Sequence, residues 1–225
     1  RTYDNRYANI MSPDLAKTTV WTMRALESKD QLRQRTAWAL FQIFKVTKED
    51  THDHHATEMW LNYYDIFVRH AFGNFFDVLR EVTYSPVMGR YGMYINKSMG
   101  DQAPNEKFAG DLMQLFTVGT EKMGRDGTVQ LDSSGKPLAM YTSSLLTSFA
   151  KIFTGFVPQI RRGNVEFHHH QNFIDPMHIQ VDRHDKYPKL ALDGAYIGDG
   201  YPLCDEKPRG SFLAAGARYV VRLAE

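Results

Sequence analysis

PNEKFAGDLMQLFTVG (104–119) and MYTSSLLTSFAKIFTGF (140–156) decide the fold of this 225-residue chain. In the first, Phe108, Leu112, Leu115 and Phe116 fall at i, i+4, i+7 and i+8, which is one stripe of an α-helix. Pro104-Asn105-Glu106 offers a start and Gly119 a C-terminal stop. In the second, Leu145, Phe149, Ile152 and Phe153 repeat the spacing. Thr142 or Ser143 can cap that helix and Gly155 can end it. Two amphipathic helices must lay their stripes on something, so the pair reads as the centre of the core.

Upstream, the pattern stays helical. Ser12-Pro13-Asp14 is a strong helix start, and that helix should run to about Leu26. Ser28 with Gln31 has capping-box spacing and opens a helix expected to carry Leu32, Thr36, Ala39, Leu40 and Ile43 inward. Arg33 and Arg35 flank it, solvated or paired with neighbouring helices. After the polar loop KEDTHDHHAT (48–57), a helix from about Glu58 to Phe72 presents Met59, Tyr63, Ile66 and Phe67. Gly73 breaks it, and Asn74 caps a helix bearing Val78, Leu79 and Val82. Ser85-Pro86 opens another, to about Ile95. Between the two organising helices, turn residues and short apolar runs predict one hairpin near 128–141. After Gly155 the apolar runs shorten. Residues 157–225 read as irregular and packed on the helices, with short strands around Asn164–Phe167 and Met177–Val181, and Ser211–Val221 as strand or helix. The expected architecture is mainly α: a multi-helix orthogonal array with one small β-hairpin insert and a long irregular C-terminal segment. We read 1–225 as one domain fragment whose helical core spans 12–156.

Composition bounds the function. The chain is 43% hydrophobic and 24% charged, an ordinary globular balance. Its 27 basic and 26 acidic residues give a net charge of +1 without a like-charge run. A nucleic-acid surface needs clustered Lys and Arg, so no nucleic-acid partner is expected. No run approaches the roughly 20 apolar residues of a membrane span. Cys204 is the single cysteine, so no internal disulfide is possible. A start at Arg-Thr-Tyr and the apolar Tyr219, Val220, Val221 and Leu223 near the other end predict a fragment of something longer, with a partner for those residues.

The two opening segments resemble the paired signatures of the domain of unknown function 1800 family. DQLRQRTAWALFQIF (30–44), YYDIFVRHAFGNFFDVLREVTYSPVMGRY (63–91) and DPMHIQVDRHDKYPKL (175–190) agree with it, so the resemblance extends to Leu190. It implies a fold and an exported setting, secreted or at the cell surface, but no settled reaction. The family's first signature usually reads N-E-N-[YF]-A-R-E-[LF]-[ML]-E-L-[HF]-T-L-G. This chain carries Gly110 for the Arg, Asp111 and Gln114 for the two Glu, and Phe116 where many members have His. In the second signature, Leu145 stands where an acid is usual. If the family is enzymatic, these neutral replacements imply a member that has lost the activity.

Three groups of residues could carry chemistry. Asn105, Glu106 and Asp111 lie on the first organising helix. His184 and Asp185, within Asp182-Arg183-His184-Asp185-Lys186, can be a metal-ligand dyad, an oriented acid–base pair, or a tether from the irregular segment to the core. As a tether, the pair should reach the helix start at Asn105–Glu106, whose open N–H groups favour a carboxylate. His52, His54 and His55, and His168, His169 and His170, form two clusters that could hold a divalent metal such as zinc, copper or nickel. Their spacing matches no compact metal motif, and consecutive histidines on a strand point to opposite faces. Asp126 and Asp132 faintly resemble a calcium loop, but turn chemistry accounts for them better.

Two functions follow. The first is a non-catalytic binding or assembly domain of a larger secreted or cell-surface protein, with a protein partner or the remainder of a longer chain, and a glycan as a further ligand class. Its 12 tyrosines suit such contacts. The alternative is a metal-assisted hydrolase of an extracellular polymer or ester, with His184, Asp185 and one histidine cluster as ligands.

Overall fold

Helix α1, Pro13–Glu27, opens on proline, whose missing N–H is no loss in a first turn. The structure, a computed structural model, describes residues 13–46, 56–100, 104–160, 172–192, 196–197 and 212–213. These hold seven α-helices and several two-residue strands, so the mainly α architecture is what the chain adopts. Ser12, Cys204, both histidine clusters, the predicted strand at 164–167 and the apolar residues 219–223 lie outside the described residues. The chain divides into two compact units: Arg1–Ile95 with Val157–His178, and Asn96–Phe156 with Ile179–Glu225. Strands β1, Phe156–Val157, and β2, His178–Ile179, mark two of the points where the chain passes from one unit to the other.

The first unit is built on α1, α2 (Gln31–Ile43), α3 (Ala56–Arg69), α4 (Phe75–Tyr84) and α5 (Pro86–Tyr91). On α3 the predicted stripe is the buried one: Met59, Tyr63, Ile66 and Phe67. On α2 it is not. Leu32 is 71% and Ile43 48% exposed, while Ala37, Phe41 and, just past the helix, Phe44 are buried. The larger apolar surface of two phenylalanines wins the inward position over the aliphatics. Phe41 is the hub, with the rings of Trp38, Trp60, Tyr63, Tyr64 and Phe67 at 5.5–6.3 Å. The Tyr63 hydroxyl, fully buried, donates to the Phe44 carbonyl at 2.7 Å, and Tyr94 donates to Thr83 at 2.6 Å. Burial pushes both phenols well above their ordinary pKa. Arg33 ends α3 by donating to the Val68 carbonyl at 2.9 Å and lies over the Phe72 ring. Asn74 caps α4 as expected, accepting from the Phe76 N–H at 2.9 Å.

An irregular segment is tied to these helices by amides. Asn172 has no exposed surface. Its Oδ1 accepts from Ile174 and Asp175 N–H, and its Nδ2 donates to Ile160 O and Asp175 Oδ2. Asn62 of α3 donates to Ile174 O at 2.6 Å, and Met177 N–H donates to Tyr84 O at 2.7 Å. Every hydrogen-bonding atom of the Asn172 side chain is thus matched, the condition for burying it.

The second unit holds α6, Lys107–Asp111, which widens into a π-turn over Leu112–Phe116, and α7, Ser143–Ala150, which tightens into a 3₁₀ turn, Lys151–Phe153. The π-turn adds a residue to the helical period and changes which side chains face inward. Phe108, Ala109 and Met113 are buried, whereas Leu115 of the expected stripe is 65% exposed. The rings of Phe108 and Phe153 meet edge to face at 4.9 Å. Thr142 caps α7 through Leu145 N–H. Gly119 and Gly155 both stand at positive φ, as their places at the helix ends require.

The hairpin insert is more closed than the sequence suggests. Lys122 N–H donates to Leu138 O, Leu138 N–H to Gln130 O, and Gln130 N–H back to Lys122 O, at 2.8, 2.8 and 2.9 Å. Three passes of chain, not two, close into a ring. Asp126 accepts from Thr128, and Asp132 from Ser134 and Lys136. Those bonds hold both carboxyls below the ordinary range, so turn chemistry accounts for these aspartates. The rest of this unit includes β3, Lys189–Leu190, antiparallel to β4, Tyr196–Ile197, with β5, Phe212–Leu213, parallel to β4.

Candidate functional site

The predicted polar residues lie in the second unit, in two groups with different partners. Asn105 Oδ1 accepts from Lys107 N–H at 2.9 Å, Glu106 accepts from Thr147 Oγ1 at 2.5 Å, and Asp111 faces Lys107 Nζ at 3.4 Å. These contacts fasten the start of α6 to α7 and brace one turn. His184 and Asp185 anchor instead at Thr154, just past the end of α7. His184 Nδ1 is 2.8 Å from the Thr154 carbonyl oxygen. A carbonyl only accepts, so the ring carries its proton on Nδ1. Asp185 N–H donates to Thr154 Oγ1 at 2.8 Å, and that hydroxyl donates to Lys151 O. The pair is therefore a tether, but one fixed by carbonyl and hydroxyl groups at the end of α7 and not by the N–H groups of a helix start.

Asp185 and Lys189 are both buried. Lys189 Nζ donates to the Asp185 carbonyl and lies 3.6 Å from Oδ1, which also accepts from Tyr187 N–H. Two buried charges of opposite sign need this proximity and these extra bonds to offset their lost hydration. Neighbouring bonds extend the seam. Arg183 donates to Ser98 Oγ and Asn96 O, Met99 N–H to Arg183 O, and Leu190 N–H to Ser148 Oγ. Gly155 explains how the segment comes so close. A Cβ there would stand 2.9 Å from Gln180 O and from the N and Cβ of His184.

Among the described residues no three of His, Cys, Asp and Glu come together as a metal cluster. His52, His54, His55, His168 and His170 are outside those residues.

The first unit carries two features that the sequence did not single out. One is a cavity of about 600 Å³ lined by Asn62, Arg69, Arg80, Glu81, Tyr84 and Asp175 among others. At its rim Glu81 accepts from Arg69 and sits 2.7 Å from His70 Nε2. Burial raises the Glu81 carboxyl, but His70 and Arg69 together hold it below the ordinary value. The other is a pair of adjoining cavities of about 390 and 420 Å³ that share Trp21, Gln34 and Tyr64. All three tryptophans of the chain join one aromatic file here. Trp21 meets Trp38 at 4.5 Å, Trp38 and Trp60 both meet Phe41 at 5.5 Å, and Trp60 stacks on Tyr64 at 5.3 Å. Trp21 also donates to the Tyr64 hydroxyl, and burial raises the carboxyl of Asp65 beside it. The available signal was Trp38: it sits beside the Ala37–Phe41–Phe44 stripe, where an indole is only partly covered.

The model of the family described as "Protein of unknown function (DUF1800)" matches residues 7–214. No curated protein and no solved structure matches the chain.

Proposed function

We propose, on the premise that the chain belongs to the DUF1800 family, that it is a non-catalytic binding or assembly domain of an exported protein. The observation that carries this reading is the commitment of His184 and Asp185 to the chain's own structure. A hydrolase needs a carboxylate or imidazole aimed at a reacting group. Here His184 Nδ1 holds Thr154, and the Asp185 carboxylate holds Tyr187 N–H and faces a buried lysine. The clefts of the helical unit are where a ligand would be held, since ligand sites are concave and mix apolar walls with a few polar groups. The exported setting is what the family resemblance implies.

The test is metal content and turnover on untagged protein. Elemental analysis should give far less than one divalent metal per chain, and a panel of esters and polysaccharides should be cleaved no faster than in buffer. One firmly held metal per chain that is lost in His184→Ala, together with turnover lost in the same variant, would overturn the reading.

A further inference from the structure

We infer that the twin cleft around Trp21 is a saccharide site with two subsites, taking two consecutive rings of an uncharged oligosaccharide. The inference rests on the binding reading above and names its ligand class. A pyranose ring has one problem of recognition: its C–H faces are apolar while its edge is a ring of hydroxyls. A matching site needs a flat aromatic wall and, around it, side chains that both donate and accept. Both lobes have that composition. Trp21 and Tyr64 wall each of them, Trp38 adds a second indole to one, and Gln34 serves both. The first lobe adds Gln31 and Arg35, and the second adds Arg24, Ser28, Asp30 and Asp65. The Gln31 amide hydrogens hold the Ala25 and Ser28 carbonyls at 3.1 and 2.9 Å, which fixes the amide and leaves Oε1 as the acceptor it can offer.

Three further features favour this occupant. The lobes are nearly equal in volume and adjoin along one shared wall, as two like rings in sequence would require. The charged groups lining them balance, Arg24 and Arg35 against Asp30 and Asp65, which suits a neutral ligand better than a nucleic acid or an acidic peptide. Trp21 is held in place before any ligand arrives, by the Trp38 ring and by the Tyr64 hydroxyl, while Trp60 stacks on Tyr64. Such preorganisation lowers the entropic cost of binding. Trp38, 37% exposed, is a large indole left for water or a ligand to cover.

The experiment is calorimetric and tryptophan-fluorescence titration of the whole chain with cellotetraose, laminaritetraose, maltotetraose and chitotetraose. At least one should bind and shift the tryptophan emission, about tenfold more tightly than its monosaccharide. Trp21→Ala and Trp38→Ala should each weaken it about tenfold or more. Gln34→Ala, a change at a partly exposed position, should weaken it severalfold with an unaltered circular dichroism spectrum, and so decides the matter if a tryptophan variant misfolds. Arg125→Ala, at an exposed position of the hairpin insert, should leave binding unchanged. The inference falls if no probe binds up to about 10 mM, as when the chain's own residues fill the cleft. It falls equally if binding survives Trp21→Ala and Gln34→Ala, or if proline-rich peptides shift the emission and saccharides do not. Failure here, with no metal and no turnover, leaves the binding reading standing; a bound metal with turnover removes that reading whatever the titrations show.

Discussion

The two units meet the same difficulty, an irregular stretch of chain lying on helices, with different chemistry. In the first, Asn172 and Asn62 hold residues 172–177 through neutral amides, beside an aromatic core centred on Phe41. In the second, residues 180–190 are held by groups that carry charge, Arg183, Asp185 and Lys189, together with His184, and Phe108, Phe153 and Phe156 meet ring to ring. Those amides carry no charge of their own, and apart from the Asp175 carboxylate their partners named here are backbone groups. Charged partners exchange hydration for attraction, and that exchange depends on both partners being present and ionised. The second seam should therefore be the more sensitive to single changes of charge.

The largest effect is expected at Asp185. Asp185→Ala leaves Lys189 buried without its carboxylate and should cost about 3–5 kcal/mol in chemical denaturation. Adding Lys189→Met should recover much of that loss, because the second change removes the stranded charge. A double variant no more stable than Asp185→Ala would erase the contrast between the seams.

A smaller loss should follow His184→Ala. It deprives the Thr154 carbonyl of its donor and should cost about 1–3 kcal/mol, with metal content unaltered. Thermal melts with elemental analysis check both parts, and a change in bound metal would make His184 a ligand and not a tether.

The smallest effect belongs to Glu81, a surface group of the neutral-seam unit. Its carboxyl is lowered in the folded state, burial notwithstanding, by His70 and Arg69. A depressed carboxyl contributes stability that is complete above its unfolded pKa and is lost as pH falls through the folded one. The parent should thus lose this part only in the acid range, below the usual glutamate value of 4.5. Glu81→Gln should differ from the parent by a fraction of a kcal/mol, about the worth of an exposed ion pair, and that difference should shrink toward zero in acid. A difference that grew as pH fell would contradict the assignment.

Much of the helical architecture was legible because local rules and tertiary packing agreed there. Met59, Tyr63, Ile66 and Phe67 keep a strict period, and Asn74 both ends one helix and caps the next. The reading failed where packing chose among rival stripes. On α2, leucine and isoleucine were counted ahead of Phe41, and on α6 a π-turn altered the period itself. The hairpin's third pass was missed since residues 120–123 carry no turn signal of their own. His184–Asp185 could be read as a tether from its polarity. Its anchor at Thr154 could not, because that depends on a close approach that only Gly155 allows. The twin cleft was invisible for a simpler reason: Trp21, Trp38 and Tyr64 come from three helices, and no spacing within one helix joins them.

The ring of backbone hydrogen bonds in the hairpin insert has a consequence for how molecules of this kind avoid one another. A strand at the margin of a sheet offers unpaired amides to any passing chain, and apolar side chains beside it make pairing worse. Met123 and Leu131 are both more than half exposed on this insert. Yet Lys122, Gln130 and Leu138 have each turned their N–H and C=O inward on one another, so at its waist the insert has no margin to lend. It can hold greasy side chains out in water without becoming a template for fibres.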